Sequence, residues 1–212
     1  MLVGHYAPAL LLRRAAPDAP LWALFLAVQA LDLGFFALAA VGLESARVVP
    51  GGRPVFEVTH GVYTHSLPAA VALGLVCAVV GAFARRPGVG AALGAAVTSH
   101  WLADLVVHVP DLPLGFTQEP AVGLGLWRLP VVPWALELAL LAGAWLLLRP
   151  RLAAAARWPG DAAVAVLVLV QLLHEHVVPT PSSTLALGAS AYGLYLGAAA
   201  LAWRVDRAAR QP

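Results

Sequence analysis

Six stretches of about twenty predominantly apolar residues, the length that crosses the hydrocarbon core of a bilayer, follow one another along this chain with only short turns and two longer loops between them. They run from Leu21 to Leu43, His65 to Ala84, Gly88 to Val109, Val131 to Leu148, Ala162 to Val178 and Thr184 to Trp203. Inside a bilayer the backbone must satisfy its own polar groups, so such stretches read as helices. Composition agrees: only 11% of the 212 residues are charged, against roughly 25% in soluble domains. The expectation is an all-α, polytopic transmembrane helical bundle of about six spans. No internal repeat, low-complexity linker or soluble segment divides it, so residues 1–212 form a single transmembrane domain. The second and third spans are joined by so short a turn, Arg85 to Pro87, that they must form an antiparallel hairpin.

The 13 basic residues are all arginine, and they sort by side. In a six-span arrangement Arg13, Arg14, Arg85, Arg86, Arg149, Arg151, Arg157, Arg204, Arg207 and Arg210 share one face of the membrane. Only Arg47, Arg53 and Arg128 lie on the other. The positive-inside rule then makes both termini cytoplasmic and turns the loops Glu44 to Thr64 and Pro110 to Pro130 outward. The expected location is the cell (inner or plasma) membrane, with the lipid bilayer as partner. A net charge of +2 with arginines scattered through loops excludes nucleic acid as a partner. The single cysteine, Cys77, cannot form an intrachain disulfide. The opening segment "MLVGHYAPALLLRR" carries its charges after its apolar residues, the reverse of a secretory leader, and reads as part of the mature protein. It forms either an N-terminal half-helix, which would carry His5 roughly 12 Å inward from Arg13, or an amphipathic helix lying on the surface.

Against this background the ionisable residues stand out. Asp32 sits in the first span, His65 opens the second, and His100, Asp104 and His108 occupy the third. Glu137 is in the fourth, and His174, Glu175 and His176 are in the fifth. Groups of this kind at membrane depth are costly and normally face a bundle interior or a wet cavity. At about 100° per residue, His100, Asp104 and His108 share one helix face. Measured from the cytoplasmic ends, Asp32, His100, Glu137 and His174 lie at roughly 18–20 Å, with Asp104, His65 and His108 farther out. The expectation is a pocket open toward the outer side.

Histidine and carboxylate together form the ligand set of zinc, manganese or iron. His100 and Asp104, spaced i and i+4, offer two ligands from one face, and His60 or His65 from "THGVYTHS" could complete a site. A metal ion with an open position makes a nucleophile of water at neutral pH, and a spare carboxylate could act as general base. Glu137 reads equally as a support for the ligands or as a packing residue. In "HEH" at His174 to His176 the two imidazoles face nearly opposite ways, so it is left out of the site. Thr64 or Ser66 could alternatively cap a helix start.

"VGH" at Val3 to His5, Asp32 after an apolar run, "HGVYTHS" at His60 to Ser66 and "SHWLAD" at Ser99 to Asp104 occur in that order. This series resembles the bacterial integral-membrane proteins known as membrane-bound metal-dependent hydrolases, over about the first half of the chain. Their pattern is similar to a Gly-His near the start, Leu-Pro-Asp-x-Asp-His, His-Arg-Gly-x-Thr-His-Ser and Ser-His-x-x-x-Asp. The resemblance implies metal-site candidates His5, Asp32, His60, His65, His100 and Asp104. The chain departs from the pattern in "QALDLGFF", where Asp32 is the one remaining acid, and at Gly61, where the pattern has arginine.

The leading expectation is a hydrolase acting on an ester or phosphoester of a small-molecule or lipid substrate. His65, His100 and Asp104 bind a divalent ion, Asp32 or His5 completes the shell, and a remaining carboxylate, Asp32 or Asp104, is catalytic. A second reading is a small permease or ion-coupled transporter with the same His/Asp relay. A third is a structural membrane protein whose polar residues only pack.

Overall fold

The computed structural model describes residues 1–49, 51–52, 55–179 and 181–210; Arg53, counted above among the outward arginines, lies outside them. The protein is mostly helical. Among the described residues there are eight α-helices: α1 (Tyr6–Ala15), α2 (Leu21–Ala27), α3 (Ala30–Ala40), α4 (Leu67–Phe83), α5 (Pro87–Val107), α6 (Val132–Leu148), α7 (Ala154–His176) and α8 (Thr184–Ala208). Two small antiparallel ribbons lie in the longer loops. One pairs β1 (Ser45–Val48) with β2 (Phe56–His60), and the other pairs β3 (Leu112–Pro113) with β4 (Ala121–Val122).

Four helical segments are long and apolar enough to cross a membrane: Pro87–Val107, Val132–Arg151, Ala154–His176 and Thr184–Ala208. The first expected span is instead a broken pair, α2 and α3, inclined at 48° across Val28 and Gln29. The second, α4, is apolar but has only 17 residues, because Ser66 ends the preceding loop by capping it. The Ser66 hydroxyl accepts the Ala69 N–H at 3.2 Å, satisfying a donor that the first turn leaves free. The fifth expected span begins earlier than hydropathy suggests, since α7 continues through Pro159 to Ala154.

The turn Ala84 to Arg86, with Arg85 at φ 56, folds α4 back on α5, which Pro87 opens as a favourable first-turn residue. Glycines let these two backbones touch. A Cβ on Gly81 would stand 2.3 Å from the Gly90 Cα, and one on Gly94 would stand 2.3 Å from the Gly74 carbonyl oxygen. Small residues at such a crossing allow the close packing that drives helix association in lipid. The helix α5 is the most enclosed of the four long helices. The others, with α4, expose large apolar side chains such as Leu75, Phe83, Leu146, Leu169 and Leu196, a surface suited to acyl chains.

The helix α1 does not lie on a surface. Tyr6, Ala7, Ala9 and Leu10 are buried, and it packs against α6, α2 and α5, as the half-helix reading requires. At its far end Arg13 reaches Asp206 of α8 at 3.5 Å and the carbonyl oxygens of Pro17 and Ala19. Asp206 also accepts the Trp22 N–H at 3.2 Å. The start of α2 and the end of α8 therefore sit at one end of the bundle. At the other end, the Thr184 hydroxyl donates to the Ala46 carbonyl of the β1–β2 ribbon at 3.0 Å.

Candidate metal centre

Four side chains from three parts of the chain meet at the centre of the bundle. Asp32 comes from the first turn of α3, His65 from the loop just before α4, and His100 and Asp104 from successive turns of α5. Each offers one ligand atom, and these atoms all lie within 4.8 Å of one another. His100 Nε2 stands 3.0 Å from Asp104 Oδ2 and 3.4 Å from Asp32 Oδ1. His65 Nε2 stands 3.2 Å from Asp32 Oδ1 and 3.9 Å from Asp104 Oδ2. Neighbouring ligands on a tetrahedral ion with bonds of about 2.0–2.1 Å lie roughly 3.3 Å apart. The group is therefore already spaced as a coordination shell and can hold a metal ion.

The tautomers of the histidines point the same way. His100 Nδ1 lies 2.6 Å from the carbonyl oxygen of Val28, which can only accept, so the proton is on Nδ1. The bend between α2 and α3 leaves that carbonyl available at a helix end. Nε2 then faces the two carboxylates, within 3.0 Å of Asp104 Oδ2 and 3.4 Å of Asp32 Oδ1. His65 repeats the design, with Nε2 at hydrogen-bond distance, 3.2 Å, from Asp32 Oδ1. Its Nδ1 is 2.9 Å from the Thr64 hydroxyl oxygen, whose own proton goes to Glu44 Oε2 at 2.6 Å. An imidazole nitrogen this close to a carboxylate shares a cation with it, either its own proton or a metal ion that takes the proton's place. Ligand histidines generally donate their other ring N–H to a fixed acceptor in this way.

The other expected residues divide. His5 joins the group from the side: its ring stacks on His100 with centroids 3.8 Å apart, and its Nε2 is 3.1 Å from Asp104 Oδ1. It is brought there by Glu137, whose Oε2 accepts the N–H groups of Leu2 at 2.6 Å and Gly4 at 3.0 Å. That makes Glu137 a support for the site. The Met1 amino group also reaches Asp104 Oδ1, at 2.7 Å. His60 stays outside. It ends β2, pairs with Ser45 across the ribbon, and its ring meets Tyr63. His108 comes within 3.8 Å of Asp104 Oδ2 through Nε2, and its Nδ1 is anchored on Asp111 Oδ1 at 2.9 Å. His176 packs on Trp134, away from the centre.

Two contributors escaped the sequence reading. Tyr195 of α8 donates its hydroxyl to Asp32 Oδ2 at 2.5 Å; a tyrosine inside an apolar span was the available signal. Glu44, buried before β1, reaches the site only through Thr64, and nothing in its neighbourhood marks it.

The centre is covered rather than open. The side chains of His65, His100 and Asp104 are at most 3% exposed, whereas that of Asp32 is 14% exposed. The β1–β2 ribbon closes one side, where the Val58 N–H donates to Asp111 Oδ2 at 2.8 Å and the Phe56 and Trp127 rings bracket His108. Trp101 locks the loop before α4 by donating its indole N–H to the His65 carbonyl at 2.8 Å. Beside the ribbon, Glu57, Thr59, Pro110, Asp111 and Arg128 line a cleft of ≈ 370 Å³. No family model, curated protein or solved structure matches the chain.

Proposed function

We propose that this chain is a multi-pass protein of the bacterial inner membrane that holds a divalent metal ion, zinc by preference, and hydrolyses an ester or phosphoester of a lipid or envelope component. The observation that carries the reading is the convergence of Asp32, His65, His100 and Asp104 from separate segments, with one ligand atom of each lying within 4.8 Å of the others. A single proton bridges two atoms. Four ligand atoms converging from separate segments suit one multivalent ion, and two largely buried carboxylates are costly without positive charge beside them. The resemblance to the membrane-bound metal-dependent hydrolases leads to the same chemistry.

In this reading His65, His100 and Asp104 hold the ion, which when bound supplies Lewis acidity toward a carbonyl or phosphoryl oxygen. His5 and Glu137 set the position of Asp104 from behind. Asp32 is the most accessible of the four and takes the proton of an attacking water as general base. The Tyr195 hydroxyl fixes its second oxygen, leaving Oδ1 directed at the shared centre. The chain crosses the membrane six times, the bent α2–α3 pair counting as one crossing and α4 as another. Both termini are then cytoplasmic. The common end shared by Arg13, Trp22 and Asp206 supports this arrangement.

The test is the metal content of detergent-purified protein, beside His100→Ala and Asp104→Ala. About one zinc or manganese ion per chain is expected in the wild type, with loss in both variants, followed by activity in an ester and phosphoester screen. Wild-type protein that stays metal-free after incubation with these ions would overturn the reading in favour of a proton relay.

A further inference from the structure

The carboxylate of Glu44 is 2% exposed and touches none of the four ligand residues. Among the described residues its hydrogen-bond partners lie on one short loop. Oε1 accepts the N–H groups of Tyr63 at 2.8 Å and Thr64 at 3.0 Å, and Oε2 accepts the Thr64 hydroxyl at 2.6 Å. An ionised carboxylate only accepts, so the single hydroxyl proton of Thr64 is committed to Glu44. The Thr64 oxygen is then left to accept from His65 Nδ1 at 2.9 Å. The rotamer of Thr64 is held by its methyl group, which lies where a Cβ on Gly34 would meet it at 3.0 Å. The chain of donors therefore runs in one direction, from His65 through Thr64 to Glu44.

We propose that Glu44 is a positioning residue that sets the tautomer of His65, holding a proton on Nδ1 so that Nε2, 3.2 Å from Asp32 Oδ1, is the nitrogen a metal ion would take. The consequence for the ion rests on the function proposed above; the tautomer itself does not. A glutamine at this position would keep one oxygen for the two backbone donors and put an NH₂ group where Oε2 stands. Thr64 must then accept from that amide and turn its own proton toward His65 Nδ1. The imidazole proton moves to Nε2, where it donates to Asp32 Oδ1 and blocks the ligand position. Glutamate and glutamine are nearly the same size, so the substitution reverses hydrogen-bond direction with little change in packing.

The experiment compares wild type with Glu44→Gln in two ways. The first is the ¹⁵N spectrum of histidine-labelled, metal-free protein at a pH where the ring is neutral, with the His65 signal assigned by its loss in His65→Ala. A proton on Nδ1 in the wild type and on Nε2 in Glu44→Gln is expected; the same tautomer in both overturns the proposal. The second is zinc affinity by competition with a chelator. Removing the outer partner of a ligand histidine typically weakens metal binding about 10–100-fold, and that loss is expected in Glu44→Gln. Thr64→Val cuts the link at its middle, so adding Glu44→Gln to it should weaken zinc no further, whereas independent effects would add. Additive losses would make Glu44 merely structural and overturn the assignment. A wild type that binds no zinc would remove the consequence for the metal, and the tautomer comparison would still decide the role of Glu44.

Discussion

Whether a histidine can serve as a ligand depends on which nitrogen carries its proton, and in this protein the acceptor facing Nδ1 bears on that, whether 72 residues away, as for His100, or next in sequence, as for His65. Val28 fixes His100, Thr64 fixes His65 and Asp111 fixes His108. The pair His100 and Asp104 was legible from spacing alone, because i and i+4 share a helix face. His65 was legible from its motif, but His60, equally prominent in that motif, was not separable from it. Only the ribbon pairing that turns His60 toward Tyr63 does so. The "THS" sequence also divides its labour. Ser66 caps α4, Thr64 links to Glu44, and His65 faces the centre. Ser66→Ala should accordingly cost about 1 kcal/mol, the usual value of a lost N-cap. Its thermal midpoint should fall while metal content per folded chain stays at the wild-type level. A loss of metal equal to that of His100→Ala would mean that the cap and the ligand position are not separate.

At the scale of elements, the α4–α5 hairpin was expected from its short turn, and its glycines explain how close it becomes. Gly94→Val should force the helices apart, since its Cβ meets the Gly74 carbonyl oxygen at 2.3 Å. Overpacking typically costs about 1–3 kcal/mol, and as α5 carries His100 and Asp104, metal retention should fall with stability. Gly143→Ala on α6 is the control, because nothing lies within 4 Å of its new Cβ. Thermal melts should show it unchanged or stabilised by up to about 1 kcal/mol, the helix-propensity gain of alanine over glycine. The break between α2 and α3 was not legible. No proline or glycine interrupts "FLAVQALD", so local propensity favours one continuous helix. The bend exists where Val28 meets His100, 72 residues away.

For the whole molecule, the arginine asymmetry is the sequence feature with the longest reach. It makes a prediction of sidedness that single cysteines test in a Cys77→Ser background. Thr59→Cys and Glu119→Cys should react with an impermeant thiol reagent added outside intact cells. Arg86→Cys and Arg210→Cys should react only after the membrane is opened. Labelling of all four from outside, or of Arg86→Cys alone, would overturn the six-crossing arrangement. The cover over the centre, made by the β1–β2 ribbon with Phe56 and Trp127, was not foreseen. Loop residues have no periodicity from which their packing can be read, and the ribbon owes its place to Asp111 and Thr184, far along the chain.

Apolar run length, arginine placement and the cost of ionisable groups in lipid are properties of local composition. By themselves they pointed to a helical membrane chain with a polar interior, and with the motif resemblance they left His5, Asp32, His60, His65, His100 and Asp104 as candidates for it. Tertiary structure alone decided which of these share one centre, which acceptor each imidazole nitrogen meets, and that Glu44 and Tyr195 belong beside it while His60 does not. The physical reason is range: helix periodicity and hydropathy act over a few turns, whereas a hydrogen bond between residues 72 or 163 positions apart forms only once the helices that carry them have packed.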